Sequence, residues 1–231
     1  MKTQAFNPFL PSYEYIPDAE SYVFGNRCMS TKVMTGLTRR IFEGMIMCAG
    51  QRRLMIWGHG KDRVIYRSVQ EPLNEDGTQH LFASDVQIGE EGRYYLFYCL
   101  HRSPTVSVAV CDEPAGEYQF YGHIRYVDGI LYGQKQGDVF NFDPGVLKDD
   151  DGRIYLYTRL SYLKDAPMRK YLAGMFQIDG SYCVELDKDI LTLKSDPVLA
   201  VPGKVLSEGT DFEGHRFLRQ AACGILMGGI I

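Results

Sequence analysis

Tryptophan is almost missing from this chain of 231 residues: Trp57 is its only one. Long apolar runs are missing too. No stretch reaches 18 apolar residues, so no helix is expected to span a membrane. The opening residues, Met1 to Pro8, lack the charged-then-apolar pattern of a secretory leader, so a cytoplasmic location is expected. Cysteine is present at 28, 48, 99, 111, 183 and 223, but no two form a C-x-x-C pair. A disulfide framework or a structural zinc site is therefore not expected. The histidines at 59, 80, 101, 123 and 215 likewise lack ligand spacing, so no metal site is expected. Basic clusters are absent, and the formal net charge of −4 is spread along the chain. That argues against a nucleic-acid surface, which needs gathered Lys and Arg.

What is abundant is tyrosine and phenylalanine, 16 and 12 residues, which suit β-strands and can stack on sugar rings. Two segments echo each other. Asp85–Tyr98 and Asp143–Tyr157 each run as an aspartate, a short apolar strand, an acidic turn closed by glycine, and an aromatic strand. Gly92 and Gly152 fall at the turns, where glycine adopts positive φ at little cost, so each segment reads as a hairpin. A fainter copy spans Asp18–Arg27, and Asp179-Gly180 suggests another turn. Further strands are expected over 105–111, 118–124 and 172–178. Hairpins recurring about every 60 residues, with almost no helix, predict the blades of a β-propeller, the competitor being a two-sheet sandwich.

The copies place Asp18, Asp85 and Asp143 ahead of their strands, where carboxylates can converge on the channel and divide acid from base work. An aspartate before a strand also serves simply as a turn residue satisfied by backbone N–H groups. Four aromatics, Tyr13, Tyr15, Phe140 and Phe142, are candidates for sugar stacking, although each also suits a core position. The turn Asp149-Asp150-Asp151-Gly152 could attract Ca²⁺, but it lacks the ligand pattern of a dedicated loop.

Asn7-Pro8-Phe9-Leu10-Pro11 with Tyr15-Ile16-Pro17-Asp18 resembles the opening of glycoside hydrolase family 43. Phe142-Asp143-Pro144 with its acidic Gly turn, Leu81–Val86, and Val108–Gly116 are similar to further elements of that family. The resemblance implies an all-β, five-bladed propeller, of which residues 1–231 cover roughly the first three blades. It implies hydrolysis of arabinose- or xylose-containing plant oligosaccharides with inversion. Asp18 would be the general base and Asp143 the residue that orients the pair and modulates the acid's pKa. Tyr15, Asp85 and Phe142 would contact substrate. No cofactor is required, although some relatives hold a channel calcium; the expected partner is an oligosaccharide, with neither nucleic acid nor membrane. The alternative is an inactive carbohydrate-binding remnant of the same propeller. Another five-bladed class, such as fructan hydrolases, would carry a differently worded first motif.

Two stretches depart from the family. After Glu213-Gly214-His215 the expected Phe-Phe-Glu, which would carry the general acid, is replaced by Arg216-Phe217-Leu218. Neither Glu208 nor Glu213 sits at the motif position. Residues 28–60 crowd five methionines and one acidic residue, and the first-blade strands are not expected there. Residues 28–60 and 216–231 match the family poorly, and shifted reading frames over 28–60 and 220–231, in a shortened chain, would account for both. An open propeller edge would then leave the polypeptide poorly stable and weakly active.

Overall fold

A computed structural model describes residues 20–24, 27–33, 53–58, 61–101, 103–159 and 167–202. Twelve strands among them form three four-stranded antiparallel sheets, each a simple meander in chain order. Sheet 1 holds β1 (Glu20–Phe24), β2 (Arg27–Val33), β3 (Arg53–Gly58) and β4 (Lys61–Arg67). Sheet 2 holds β5 (Leu81–Ile88), β6 (Tyr94–Leu100), β7 (Val106–Cys111) and β8 (Gln119–His123). Sheet 3 holds β9 (Gly145–Lys148), β10 (Ile154–Arg159), β11 (Gly180–Leu186) and β12 (Val198–Pro202). The first strands lie together: β5 neighbours β9 on one side and β1 to β3 on the other.

Sheet 2 is buried on both faces, and its strand alternation divides two cores. Tyr95, Phe97 and Cys99 of β6, with Val106, Val108 and Val110 of β7, pack toward Val146, Leu156 and Val184 of sheet 3. The intervening Leu96, Tyr98 and Leu100 pack with Ile65 and Tyr66 of sheet 1. Because period 2 sends alternate side chains to opposite faces, a strand apolar at every position cements three layers. That explains the unbroken run Tyr94–Leu100, which no half-exposed strand would carry.

The expected hairpins form. Residues 89–93 and 149–153 close the same turn, with Gly92 and Gly152 at φ of 75° and 84°. Strands expected over 105–111 and 118–124 appear as β7 and β8. Three expectations need correction. Residues 172–178, read as a strand, instead end the short helix α1 (Pro167–Ala173) and a turn. Leu172 is buried between exposed Tyr171 and Ala173, and the carbonyls of Tyr171 and Leu172 accept the amides of Gly174, Met175 and Phe176. Gly180 is not a hairpin turn but the first residue of β11. Residues 28–60 do contribute strands, β2 and β3, pairing from Ser30↔Trp57 to Val33↔Leu54 between β1 and β4. A main-chain ladder flanked on both sides tolerates an unpatterned sequence, since the hydrogen bonds are backbone bonds.

Candidate active site

Asp143 lies two residues before β9 with φ of 47°, a left-handed conformation that aspartate tolerates better than most residues but that still costs free energy. Pro144 follows and removes the helical alternative. The step is held on both sides. The Arg159 amide at the end of β10 donates to the Phe142 carbonyl at 2.8 Å, and the Asn141 amide donates to Pro104 O at 3.2 Å. Thr158 donates its hydroxyl to Asn141 Oδ1 at 2.8 Å. Beneath it sits Cys99 of β6, wholly buried; burial foremost, and then the Asp143 carboxylate, push its thiol pKa well up. That thiol is an inert wall, not a nucleophile.

Phe142 is half-buried and packs on Phe82 with ring centroids 5.6 Å apart, and Phe82 in turn meets His101 at 5.7 Å. Phe140 meets Phe176 edge-on at 5.1 Å. Both rings thus have protein partners, and Phe142 remains partly exposed. Tyr13, Tyr15, Asp18, Glu208 and Glu213 lie outside the described residues.

The position of Asp85 differs from the expectation. It does not precede its strand but is the fifth residue of β5. A bulge is the cause: Phe82 pairs with Cys99, yet Asp85 pairs with Phe97, so β5 carries one extra residue, with Ala83 at φ of 41°. Setting the two glycine turns in register places Ala83 opposite Asp143 and Asp85 opposite Gly145. Both left-handed residues therefore hold the same place in consecutive sheets, and in sheet 2 that place has no carboxylate. Asp18, in sequence, is also two residues ahead of its strand. Asp85 instead spends both oxygens on protein. Oδ1 accepts the Tyr22 hydroxyl at 2.6 Å and Oδ2 accepts the Val146 amide at 2.6 Å.

Sequence reasoning missed Arg159, Tyr22 and Asp138. Arg159 is 8% exposed, a guanidinium at the end of an otherwise apolar strand, joined through its backbone to the residue before Asp143. The sequence signal was a single charge closing the uncharged run Ile154–Thr158. Asp138, 5% exposed, shapes the link from β8 to β9. Its carboxylate accepts the Tyr126 hydroxyl at 2.6 Å and the amides of Gly133, Lys135 and Val139 at 2.7, 3.3 and 3.0 Å. This link and residues 173–177 flank a cavity of about 800 Å³ that reaches Pro104, so it adjoins the Asn141–Asp143 step. Gln134, Gln136, Met175, Phe176 and Gln177 are among the residues that line it, and Lys135, also in the lining, pairs with Asp128 at 2.8 Å. Such a lining suits a neutral, hydroxyl-rich ligand.

The acidic turn is a hairpin. Asp151 Oδ1 accepts the Arg153 amide at 3.0 Å and Oδ2 its guanidinium at 2.5 Å, so that carboxylate is engaged. Among the described residues no group of three potential ligands gathers.

The profile of Glycosyl hydrolases family 43 matches residues 51–222. A protein described as "Xylosidase/arabinosidase" from Thermoclostridium stercorarium is 43% identical over 220 residues. The match takes in 94% of this chain and 44% of that protein, so the chain spans less than half the length of that curated relative. Among solved structures, a family 43 β-xylosidase/α-arabinofuranosidase from a compost microbial metagenome, in complex with xylotriose, aligns with a TM-score of 0.57 at 19% identity. It covers 82% of this chain and 60% of that one. An endo-arabinase from Bacteroides thetaiotaomicron aligns with a TM-score of 0.55 at 18% identity, covering 84% and 58%. At such identities the likeness is one of fold, and the three meanders are the fold those enzymes share. With three quarters of its length under the profile, the chain belongs to glycosyl hydrolase family 43.

Proposed function

We propose that this chain forms the first three blades of a five-bladed propeller that hydrolyses xylose- or arabinose-containing oligosaccharides with inversion. The observation that carries the reading is the backbone of Asp143: a carboxylate held in a left-handed conformation at the head of an inner strand, a place where strain accompanies function. Asp18 stands at the same offset from β1 and takes the role of general base, withdrawing a proton from the attacking water. Asp143 orients the pair and tunes the acid. The general acid is a glutamate from a later part of the propeller, placed roughly 6.5–9.5 Å from the base so that water fits between. Phe142 and Tyr15 offer stacking faces, and the neutral cavity beside Pro104 accommodates sugar units away from the scissile bond. The chemistry needs carboxylates and water and no cofactor. The name of the Thermoclostridium relative and the xylotriose in the metagenomic enzyme support the pentose class.

Hydrolysis of 4-nitrophenyl xyloside and arabinofuranoside tests this. Asp18→Asn and Asp143→Asn should each lower turnover about a hundredfold or more. The second reading, a sugar-binding remnant, is favoured by Arg216-Phe217-Leu218 standing where the motif of the general acid is expected. It predicts xylo-oligosaccharide binding with no turnover, unchanged by Asp18→Asn. Turnover that ignores both substitutions would refute the assignment of residues.

A further inference from the structure

We propose that Asp85 is a positioning residue, an inter-sheet clamp that fixes the spacing of the inner strands β1 and β9; the proposal rests on reading Asp18 and Asp143 as members of one hydrolytic site. Three sheets meet at this one carboxylate. Tyr22 of β1 donates its hydroxyl to Oδ1 at 2.6 Å, and the same hydroxyl accepts the Val86 amide of β5 at 2.9 Å. The Val146 amide of β9 donates to Oδ2 at 2.6 Å. Thus the strand that follows Asp18 in sequence and the strand that follows Asp143 are each tied, by a short charge-assisted bond, to the same side chain.

The clamp is needed because of how the sheets otherwise meet. Valine, leucine and aromatic side chains fill both interfaces, and apolar contact is non-directional. Such layers resist separation but set no register between neighbouring inner strands. Directional bonds do. Asp85 takes its face, toward sheet 3, from the regular ladder that runs back from the turn, Ile88↔Tyr94 to Asp85↔Phe97, and the residue inserted at Ala83–Ser84 lets Phe82 share that face while Leu81 and Val86 lie against sheet 1. Without the extra residue, strand alternation counted from the turn would send Phe82 to the opposite face and leave Asp85 where it is. An error of about 1 Å in the placement of reacting groups can cost a hundredfold in rate, so a device of this kind matters to turnover without touching substrate.

Asp85→Asn and Tyr22→Phe in the full chain test the clamp, read first by amide hydrogen exchange of ¹⁵N-valine-labelled protein. Asparagine keeps one acceptor and turns an N–H₂ toward the other donor. The Val146 amide should exchange roughly tenfold faster in Asp85→Asn, and the Val86 amide likewise in Tyr22→Phe, while valines 106, 108 and 110 keep their protection. With aryl pentosides, kcat should fall about a hundredfold in Asp85→Asn, with KM within about threefold and the pH profile unmoved. If Asp85 instead touches sugar or titrates in catalysis, KM or the pH profile shifts while the Val146 amide is unaffected, and the clamp is overturned. A chain with no turnover sinks the hydrolase reading alone, since the amide measurement still decides the clamp. Should Asp85→Asn not fold, Tyr22→Phe decides it: unchanged Val86 exchange is the refuting result.

Discussion

Replacing Glu71 by glutamine should destabilise the protein by about 3 kcal/mol. Glu71 sits in the link between β4 and β5, with its side chain fully shielded from solvent. Its carboxylate accepts the Tyr98 hydroxyl, His123 Nε2 at 2.8 Å and the Leu73 amide at 3.1 Å. Tyr98 and Tyr66 join their hydroxyls at 2.9 Å, so the network reaches from sheet 1 through the link to the far strand of sheet 2. Burial alone would raise the pKa of Glu71, but the hydrogen bonds from His123, Tyr98 and Leu73 outweigh it and hold the carboxyl below its ordinary range. Burial and the neighbouring Glu71 push the Tyr98 hydroxyl well up, so it stays a donor. Glutamine keeps one acceptor and points an amide N–H₂ at a second donor. The loss is therefore one charge-assisted bond of about 1.5–3 kcal/mol together with a buried unsatisfied donor of about 1–3 kcal/mol. Urea unfolding at pH 7 should show the midpoint falling by roughly 1 M. The sign with pH follows from the lowered pKa. A folded-state value below the unfolded value of about 4.3 gives stability that is complete above that value and is lost as pH falls through the folded one. The gap between wild type and Glu71→Gln should narrow below about pH 4. A midpoint shift under about 0.2 M, or a gap constant from pH 7 to pH 3, would refute the reasoning.

Other substitutions test separate parts of the fold. Gly133 holds φ of 102°, and an added Cβ would meet the Pro104 carbonyl oxygen at 2.0 Å; Gly133→Ala should cost about 2–4 kcal/mol in urea unfolding and disturb the cavity wall. Gly152, at φ of 84°, has nothing within 4 Å of an added Cβ. Gly152→Asn should cost under about 1 kcal/mol and Gly152→Val distinctly more, so their melting temperatures should separate by several degrees. Asp138→Ala removes the acceptor of four hydrogen bonds. It should cost about 3 kcal/mol and raise amide exchange at Gly133 and Val139 well above that at Val108.

Much of the architecture was legible because its signals are local. Glycine turns bracketed by acidic residues and followed by aromatic runs gave two hairpins, and their recurrence gave the meander. The start of β9 was legible from the Asp143-Pro144 step ahead of it. The misreadings share one cause: a local pattern decided by a distant partner. Residues 172–178 have the apolar content of a strand, but burial of Leu172 alone closes a helix there. The Glu71 network was invisible because Tyr66, Glu71, Tyr98 and His123 come from four separate elements, and nothing in the spacing joins them. The strands within 28–60 were missed because a ladder between two good strands asks little of the side chains.

Asp85 shows most clearly what a sequence repeat conveys. Counting back from an aspartate made it the twin of Asp143; counting back from the turn glycines makes Ala83 the twin. The second count is physically the better one, because a hairpin's register is fixed at its turn and an inserted residue shifts everything beyond it. Both twins keep the left-handed backbone, so the unusual conformation belongs to a fixed distance from the turn, and what it presents depends on the side chain that stands there. Sheet 3 puts a carboxylate at that place, and sheet 2 puts a methyl group there and moves its carboxylate two residues on, where it meets Tyr22 and Val146. Repeated backbone supplies the positions; single residues decide what each position contacts.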